Sequence, residues 1–168
     1  MTRATDTNAY VLGPEEGDAR WYMGCLFDWK AVGEQTGGWF SMVETTIRKG
    51  VEPPLHVHSR EEEAFYVLEG EIDFQVGDQI QTATPGSFVF APRGIPHTFA
   101  LRTDVARALI LLAPAGLEHT FLQFSEPARE RTLQREPLPE PDLERMEATD
   151  RDFGITYVGP PLAEVGPM

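Results

Sequence analysis

The stretch from Gly50 to Gly70, GVEPPLHVHSREEEAFYVLEG, decides the fold of this chain. It contains His56 and His58, two of only four histidines, two positions apart. Side chains at positions i and i+2 of a strand point to the same face, about 6.6–7 Å apart along the chain. Two imidazoles at this spacing can bind one metal ion, and the prolines at 53–54 favour the extended backbone that this requires.

A carboxylate from the run Glu61, Glu62 and Glu63 is a natural further ligand for such an ion. Strand parity weakly favours Glu63, because Glu63 shares a face with the apolar Phe65. However, Glu62 shares a face with Tyr66, which is also fairly apolar. The residues alone therefore leave the identity of the carboxylate ligand open.

A second segment, residues 86–97 with sequence GSFVFAPRGIPH, supplies a third histidine. A strand ends at Pro92, a tight turn follows, and His97 begins the next strand on the face of Phe99. Three of the four histidines fall in these two segments, which makes His97 a candidate ligand.

Short strands separated by Gly and Pro dominate the region from about residue 21 to residue 114. The predicted strands are 39–47, 64–68, 72–76, 88–90 and 108–112, with a hairpin turn at 77–78. The continuous apolar run at 108–112 predicts a strand covered on both faces. No helical pattern separates these strands, so the sequence favours an all-β sandwich or barrel over a parallel α/β fold.

After Pro114 the pattern becomes helical. Leu117, Phe121 and Phe124 follow the helical i, i+4, i+7 spacing, and Pro127 ends that helix. The proline-rich, charged residues 127–141 predict an extended segment or a loop.

A second short helix is predicted to open at Pro141, with Leu143 and Met146 on its inner face and Gly154 at its end. Residues 155–158 then predict a final strand. Because no internal repeat is present, we expect a single domain over residues 1–168, with a barrel core at about 21–114 and a C-terminal segment at about 115–168.

Composition restricts the partners of the chain. The formal net charge of −13 disfavours nucleic acid and anionic lipid surfaces as partners. No apolar run is long enough to cross a membrane, and the polar segment Met1–Asn8 lacks the apolar region of a signal peptide. The single cysteine, Cys25, has apolar neighbours and predicts a buried structural thiol. We expect a cytoplasmic protein.

Both segments resemble the conserved motifs of the cupin superfamily. The first matches the pattern G-x5-H-x-H-x4-E-x6-G and the second matches G-x5-P-x-G-x2-H, although Leu101 stands where the second motif has Asn. The resemblance implies a double-stranded β-helix, the jelly-roll barrel. It selects Glu63 as the carboxylate and implies a site of His56, His58, Glu63 and His97, with His97 across the barrel from the others.

The chain is more specifically similar to single-barrel, quercetin 2,3-dioxygenase-like cupins. The similarity rests on residues 53–70, on the Pro-Ala-Gly at 114–116 before an aromatic helix, and on the tail at 153–162. It implies one divalent Fe, Mn, Ni, Co, Cu or Zn ion per chain, and a homodimer. It also implies cleavage of a flavonol-, enol- or catechol-like compound with O2, in flavonols with release of CO. Glu63 would leave the metal to act as the base.

Two alternatives remain open from the sequence: metal-assisted isomerisation or hydrolysis of a small diketone, and small-molecule binding without catalysis. Glu44 is interpreted as an outward, solvated residue, or alternatively as a hydrogen-bonding partner near the metal. Apolar side chains are expected to line the substrate pocket. The candidates are Phe40, Met42, Phe65, Phe88, Phe99 and Phe121, with Phe74, Phe90 and Phe124 as further members of the group.

Overall fold

The computed structural model of the protein describes residues 8–136 and 138–162. Residues 1–7, Pro137 and residues 163–168 lie outside the described residues. They include both ends of the predicted single domain and most of the polar segment Met1–Asn8.

The described residues form mostly strands, with three short helices. The strands are β1 (Asp18–Tyr22), β2 (Cys25–Ala31), β3 (Ser41–Arg48), β4 (Pro54–His58), β5 (Glu62–Glu69), β6 (Ile72–Val76), β7 (Gln79–Ala83), β8 (Phe88–Ala91), β9 (His97–Leu101), β10 (Val105–Ala113), β11 (Glu126–Pro127) and β12 (Ile155–Pro161). The helices are α1 (Gly33–Thr36), α2 (Glu118–Gln123) and α3 (Leu143–Phe153). In these residues no helix has the length and apolar character that crossing a membrane requires.

The strands form two antiparallel sheets that face each other, as the predicted all-β jelly roll requires. The larger sheet has the strand order β11-β1-β2-β3-β10-β5-β8, and the smaller has the order β12-β4-β9-β6-β7. Neighbouring strands in each sheet are mostly distant in sequence, as in a jelly roll. This architecture confirms the predicted fold class.

Buried and more exposed residues alternate along the strands, and the buried side chains fill the space between the sheets. In β3, Ser41, Val43, Thr45 and Ile47 are buried, and the residues between them are more exposed. Phe65 of β5 meets Phe74 of β6 across the barrel, with ring centroids 4.8 Å apart. The core therefore lies on the inner faces of both sheets.

One expectation about β10 is wrong. Its inner face is buried, but Leu111 on its outer face is 36% exposed. Leu109 on the same face is only half-buried, so the continuous apolar run marks a strand with one fully buried face. The sequence pattern cannot distinguish a covered outer face from an exposed apolar one.

The C-terminal segment closes one side of the barrel. Helix α3 is confirmed, but it begins after Asp142, whose side chain accepts a hydrogen bond from the Arg145 backbone N–H. It ends at Gly154, which has a φ of 93°. Strand β12 follows directly and pairs with β4, the strand of the two closely spaced histidines.

Candidate metal centre and cavity

Strands β4 and β9 place three histidines together. His56 and His58 lie on the inner face of β4, and His56 is the register partner of His97 on β9. The three ring centroids are separated by 4.5–5.0 Å. His97 therefore lies beside His56 in the same sheet, and the expectation that it lies across the barrel is wrong.

Glu63 is the residue that reaches the cluster from the opposite sheet. It lies on the inner face of β5, and its Oε2 is 3.0 Å from His97 Nε2 and 3.8 Å from His58 Nε2. One ligand atom from each of His56, His58, Glu63 and His97 lies within 4.8 Å of the others. The four residues implied by the motifs are thus brought together, three from one sheet and one from the other.

The two other candidate glutamates do not join the cluster. Glu62 points away from the barrel interior and lies 3.5 Å from Arg93 in an ion pair. Glu61 precedes β5, and although it is buried, it is not among the clustered residues. Parity along β5 therefore separates Glu63 from Glu62, once the start of the strand is known.

Backbone carbonyls orient two of the rings. His56 Nδ1 lies 2.8 Å from the Pro54 carbonyl, and His97 Nδ1 lies 3.0 Å from the Ile95 carbonyl. An Nδ1–H that donates to a carbonyl leaves Nε2 of the ring for the cluster. His58 Nδ1 is buried with no hydrogen-bond partner among the described residues.

The pKa shifts divide the cluster into neutral and charged parts. Burial, and next the nearby His97 and His58 rings, lower the pKa of His56 to about 4, and burial also lowers the pKa of His58. Burial alone would raise the pKa of Glu63, but the hydrogen bond from His97 and the histidine charges outweigh it and lower that pKa. Burial alone would lower the pKa of His97, but its hydrogen bond to Glu63 raises it.

This arrangement fits a first-row divalent metal ion. Three imidazole nitrogens and one carboxylate are the ligands that such ions prefer, and two of the three imidazoles are held neutral. Four protein ligands also leave positions open on a five- or six-coordinate ion.

A second group of carboxylate and histidine side chains differs from the His–Glu cluster in its exposure. Glu34, Glu118 and His119 also lie close together, but Glu34 and His119 are exposed. The buried Glu118 carboxylate accepts hydrogen bonds from the backbone N–H groups of Gly33 at 2.8 Å and Gly116 at 2.5 Å. Its role is to hold two loops together.

The His–Glu cluster opens onto a cavity of about 560 Å³. Phe65, Phe99 and Phe121, three of the predicted pocket residues, line this cavity, as does Phe74. A volume of this size accommodates a drug-sized molecule. No Lys or Arg side chain from the described parts of the chain lines the cavity.

The other pocket predictions are wrong, because three fall on outward-facing strand positions and two lie outside the strands. Met42 lies on the outer face of β3, and Phe88 and Phe90 lie on the outer face of β8 with 66% and 47% of their surfaces exposed. Phe40 precedes β3 and does not line the cavity, and Phe124 at the end of α2 packs under the Arg145 guanidinium. Without the strand register, an aromatic residue on a strand can be assigned to either face.

Sequence reasoning missed the polar side of the cavity. Tyr22 at the end of β1, Asp150 on α3 and Tyr157 on β12 all line it. No motif marks these residues. The signal available was the predicted order of a short helix and then a strand after Pro141, which brings Asp150 and Tyr157 together.

Three further residues that the sequence singled out are Leu101, Glu44 and Cys25. The Leu101 side chain, in place of the motif Asn, is buried in the core, and its backbone N–H donates to Glu52 Oε1 at 3.1 Å. Glu44 points outward from β3 and pairs with Arg107 at 2.6 Å, as its first interpretation expected. Cys25 is buried, and burial raises its pKa to about 11, which keeps the thiol protonated at neutral pH.

Comparison with known proteins agrees with this geometry. Residues 43–114 match the family model described as "Cupin domain". Over 98 residues, the chain is 28% identical to quercetin 2,3-dioxygenase of Bacillus subtilis (strain 168). The match covers 58% of this chain and 29% of that enzyme, so the chain spans less than a third of the length of this curated relative.

Solved structures share the fold of the described residues at low sequence identity. KdgF from Halomonas sp. has a TM-score of 0.57 at 16% identity, covering 67% of this chain and 99% of its own. An RmlC-like cupin from Shewanella frigidimarina has a TM-score of 0.57 at 21% identity, and the match covers 67% of this chain and 96% of that protein. A predicted oxalate decarboxylase from Thermotoga maritima has a TM-score of 0.56 at 18% identity, and the match covers 62% of this chain and 99% of that protein. These similarities concern the fold alone.

Proposed function

We propose that this chain is a metal-dependent dioxygenase that acts on a neutral flavonol-, enol- or catechol-like compound. The observation that carries the proposal is a three-histidine, one-glutamate cluster at the wall of an apolar cavity that no Lys or Arg of the described residues lines. In this proposal His56, His58, Glu63 and His97 hold one Fe, Mn, Ni, Co, Cu or Zn ion. When bound, such an ion supplies a Lewis acid that polarises oxygen atoms of the substrate.

The lining of the cavity supports a neutral substrate. A sugar phosphate or another small anion needs a cationic or strongly hydrogen-bonding partner when it leaves water. The described lining residues offer aromatic and aliphatic surface, and the carboxylates of Glu52, Glu147 and Asp150, but no Lys or Arg. A flat apolar molecule with two oxygens at one end fits this lining better than an anion does.

Glu63 is the residue to which we assign proton transfer. It is the carboxylate of the cluster, and the hydrogen bond from His97 holds it ionised. A substrate hydroxyl placed at the cluster lies within reach of this carboxylate and can pass its proton to it. The distant similarity to an enzyme named quercetin 2,3-dioxygenase supports the same class of substrate.

The first test is metal content. Protein purified without a His tag should contain about one equivalent of a transition metal per chain by elemental analysis, as a site with these ligands predicts. His58→Ala should lose most of that metal, whereas His119→Ala, which changes the exposed histidine outside the cluster, should retain it. Equal metal content in both variants would contradict the assignment of the ligands.

The second test is turnover. Protein reconstituted with each candidate metal is mixed with 3-hydroxyflavone and with a panel of catechols and diketones, and O2 uptake and CO release are measured. The proposal expects O2 uptake with at least one metal and its loss in Glu63→Gln. Diketone turnover without O2 uptake would indicate an isomerase or hydrolase instead, and binding without turnover would indicate a non-catalytic binding protein.

A further inference from the structure

Strand β12 places a tyrosine beside the histidine cluster. Tyr157 is the register partner of His56, and the centroids of the two rings are 6.2 Å apart. Register partners in neighbouring antiparallel strands point to the same face of a sheet. The buried Ile155, two positions earlier on β12, pairs with His58 in the same way. The Tyr157 side chain therefore lies on the inner face of the smaller sheet, next to the two histidines of β4.

A buried carboxylate binds the Tyr157 hydroxyl. The hydroxyl donates a hydrogen bond of 2.5 Å to Oδ2 of Asp150 on α3. Asp150 is buried, and both residues line the cavity onto which the His–Glu cluster opens. A phenol that donates its hydrogen can still accept a second hydrogen bond through its oxygen. The pair thus connects the part of the cavity beside His56 to a buried proton acceptor.

The surroundings of Asp150 make its carboxylate a better proton acceptor than an exposed aspartate. Burial raises the pKa of Asp150, the hydrogen bond from Tyr157 partly offsets this rise, and the charge of Glu147 on the same helix adds to it. Burial, and next the Asp150 charge, raise the pKa of Tyr22 on β1, and burial also raises the pKa of Tyr157. Both phenols therefore keep a proton at neutral pH. Since the described lining contains no Lys or Arg, no cation of the lining lowers the pKa of Asp150 again.

We propose that Asp150, reached through the Tyr157 hydroxyl, is a second proton acceptor beside the histidine cluster, in addition to Glu63. This inference rests on the proposed function. A ligand hydroxyl next to His56 loses its proton to the Tyr157 oxygen, while the hydroxyl proton of Tyr157 passes to Asp150 Oδ2. The O–H bond of the ligand breaks, one O–H bond of Tyr157 is replaced by another, and a new O–H bond forms on Asp150. The ligand becomes an oxyanion, Tyr157 remains a phenol and Asp150 becomes neutral.

The two proton acceptors approach the cluster from opposite sheets. Glu63 comes from β5 in the larger sheet, whereas Tyr157 comes from β12 in the smaller one. Hydroxyls that face different sheets can therefore each meet their own acceptor. A single carboxylate cannot hold both protons of such a ligand, because its protonated form is neutral and no longer a strong base. The second acceptor lets a ligand with two hydroxyls lose both protons inside the cavity.

The test counts protons when 2,3-dihydroxynaphthalene binds to the zinc-loaded protein at pH 7. Zinc has no redox chemistry, so the probe binds without oxidation by the metal. The absorbance of the bound probe reports how many protons it has lost, and calorimetry in buffers of different ionisation enthalpy reports how many reach the solvent. The difference between the two is the number of protons that the protein retains.

This number should be about one lower in Asp150→Asn and in Tyr157→Phe than in the unmodified protein. The first substitution removes the acceptor, and the second removes its connection to the ligand. Glu63 is unchanged in both variants, so any proton that it accepts is counted equally in all three proteins.

The proton count separates proton transfer from structural support. A variant that only loosens α3 weakens probe binding but leaves the count unchanged, and the zinc content of each variant serves as an internal control. Glu144→Gln, which changes an exposed carboxylate in the first turn of α3, should keep the full count. An unchanged count in Asp150→Asn overturns the second acceptor while the proposed dioxygenase stands. A lower count in Asp150→Asn but not in Tyr157→Phe contradicts the route through Tyr157. If the unmodified zinc-loaded protein does not bind the probe, both proposals fail.

Discussion

The protonation states of individual residues in the cluster determine how metal binding depends on pH. The pKa of His97 is raised above 6.5 through its hydrogen bond to Glu63, whereas that of His56 is lowered to about 4. A metal ion must displace the proton on His97, because only a neutral imidazole donates a lone pair. His56 holds no competing proton at neutral pH.

We therefore predict that metal affinity rises with pH until the pKa of His97 is passed. Below that pKa, where His97 is protonated in the metal-free protein, the affinity should fall about tenfold per pH unit through the release of one proton. Calorimetric titration with zinc in buffers of different ionisation enthalpy measures the protons released. Release of no proton at pH 6, or of one from each histidine, would contradict the assignment of the proton to His97.

Two phenylalanines that the sequence treats alike should differ in their contribution to stability. Phe65 is 4% exposed in the core, whereas Phe88 is 66% exposed on the outer face of β8. Phe65→Ala should lower the free energy of unfolding by roughly 3–5 kcal/mol through lost burial and a new cavity. Phe88→Ala should change it by about 0.5 kcal/mol or less. Urea denaturation measures both, and equal losses would mean that Phe88 is buried in the protein in solution.

At the scale of elements, the turn from α3 into β12 controls where Asp150 and Tyr157 lie. Gly154 ends the helix at φ 93°, and a Cβ there would lie 2.4 Å from Ser59 Oγ and 3.2 Å from Arg60 atoms. Its carbonyl accepts a hydrogen bond from the Ser59 backbone N–H at 2.9 Å. This glycine thus joins the C-terminal segment to the strand that carries the histidines.

We predict that Gly154→Ala destabilises the protein more than Gly38→Ala does. Gly38 has a φ of 83° but no atom within 4 Å of an added Cβ, so its substitution adds only the backbone strain, about 1–2 kcal/mol. Gly154→Ala adds the overlap with Ser59 to a similar strain. Thermal unfolding of the two variants measures the difference. Equal destabilisation by both substitutions would argue against the close contact at Ser59.

For the molecule as a whole, the jelly-roll barrel and the His–Glu cluster were implied by the cupin resemblance, whose motifs are patterns of local spacing. Two histidines at i and i+2, with a motif that fixes the glutamate, identify the residues before any contact is known. The sheet assignment of His97 could not be predicted, since the register of β4 against β9 depends on pairing between distant segments. For the same reason, Phe88 was assigned to the cavity although it faces outward.

The polar side chains that line the cavity were missed for a different physical reason. Asp150 and Tyr157 are seven positions apart, on a helix and the strand after it, and only the folding of α3 against β12 brings their side chains together. Tyr22 comes from β1, at the other end of the chain. These three side chains come from three elements without a repeated spacing, so the predicted helix and strand after Pro141 are the only signal that the sequence supplies.

The homodimer implied by the resemblance stays a prediction, and the outer face of the larger sheet gives it a testable form. Strand β8 is an edge strand, and Phe88, Phe90 and the neighbouring Tyr66 are all at least 44% exposed there. An antiparallel edge strand can pair with its own copy about a two-fold axis, which would cover these aromatic rings in both chains.

We predict that sedimentation shows a mass of twice the 18.8 kDa chain, and that the double substitution Phe88→Glu and Phe90→Glu yields a monomer with unchanged metal content. The introduced glutamates would face their own copies across the two-fold axis, and their like charges oppose association. The folded monomer tolerates them, because both positions are exposed. The matched control is Ile80→Glu, an exposed apolar residue on the edge strand β7 of the other sheet, which should leave the dimer intact. A monomeric unmodified protein at all concentrations contradicts the dimer, and a dimer that survives the double substitution contradicts its placement on β8.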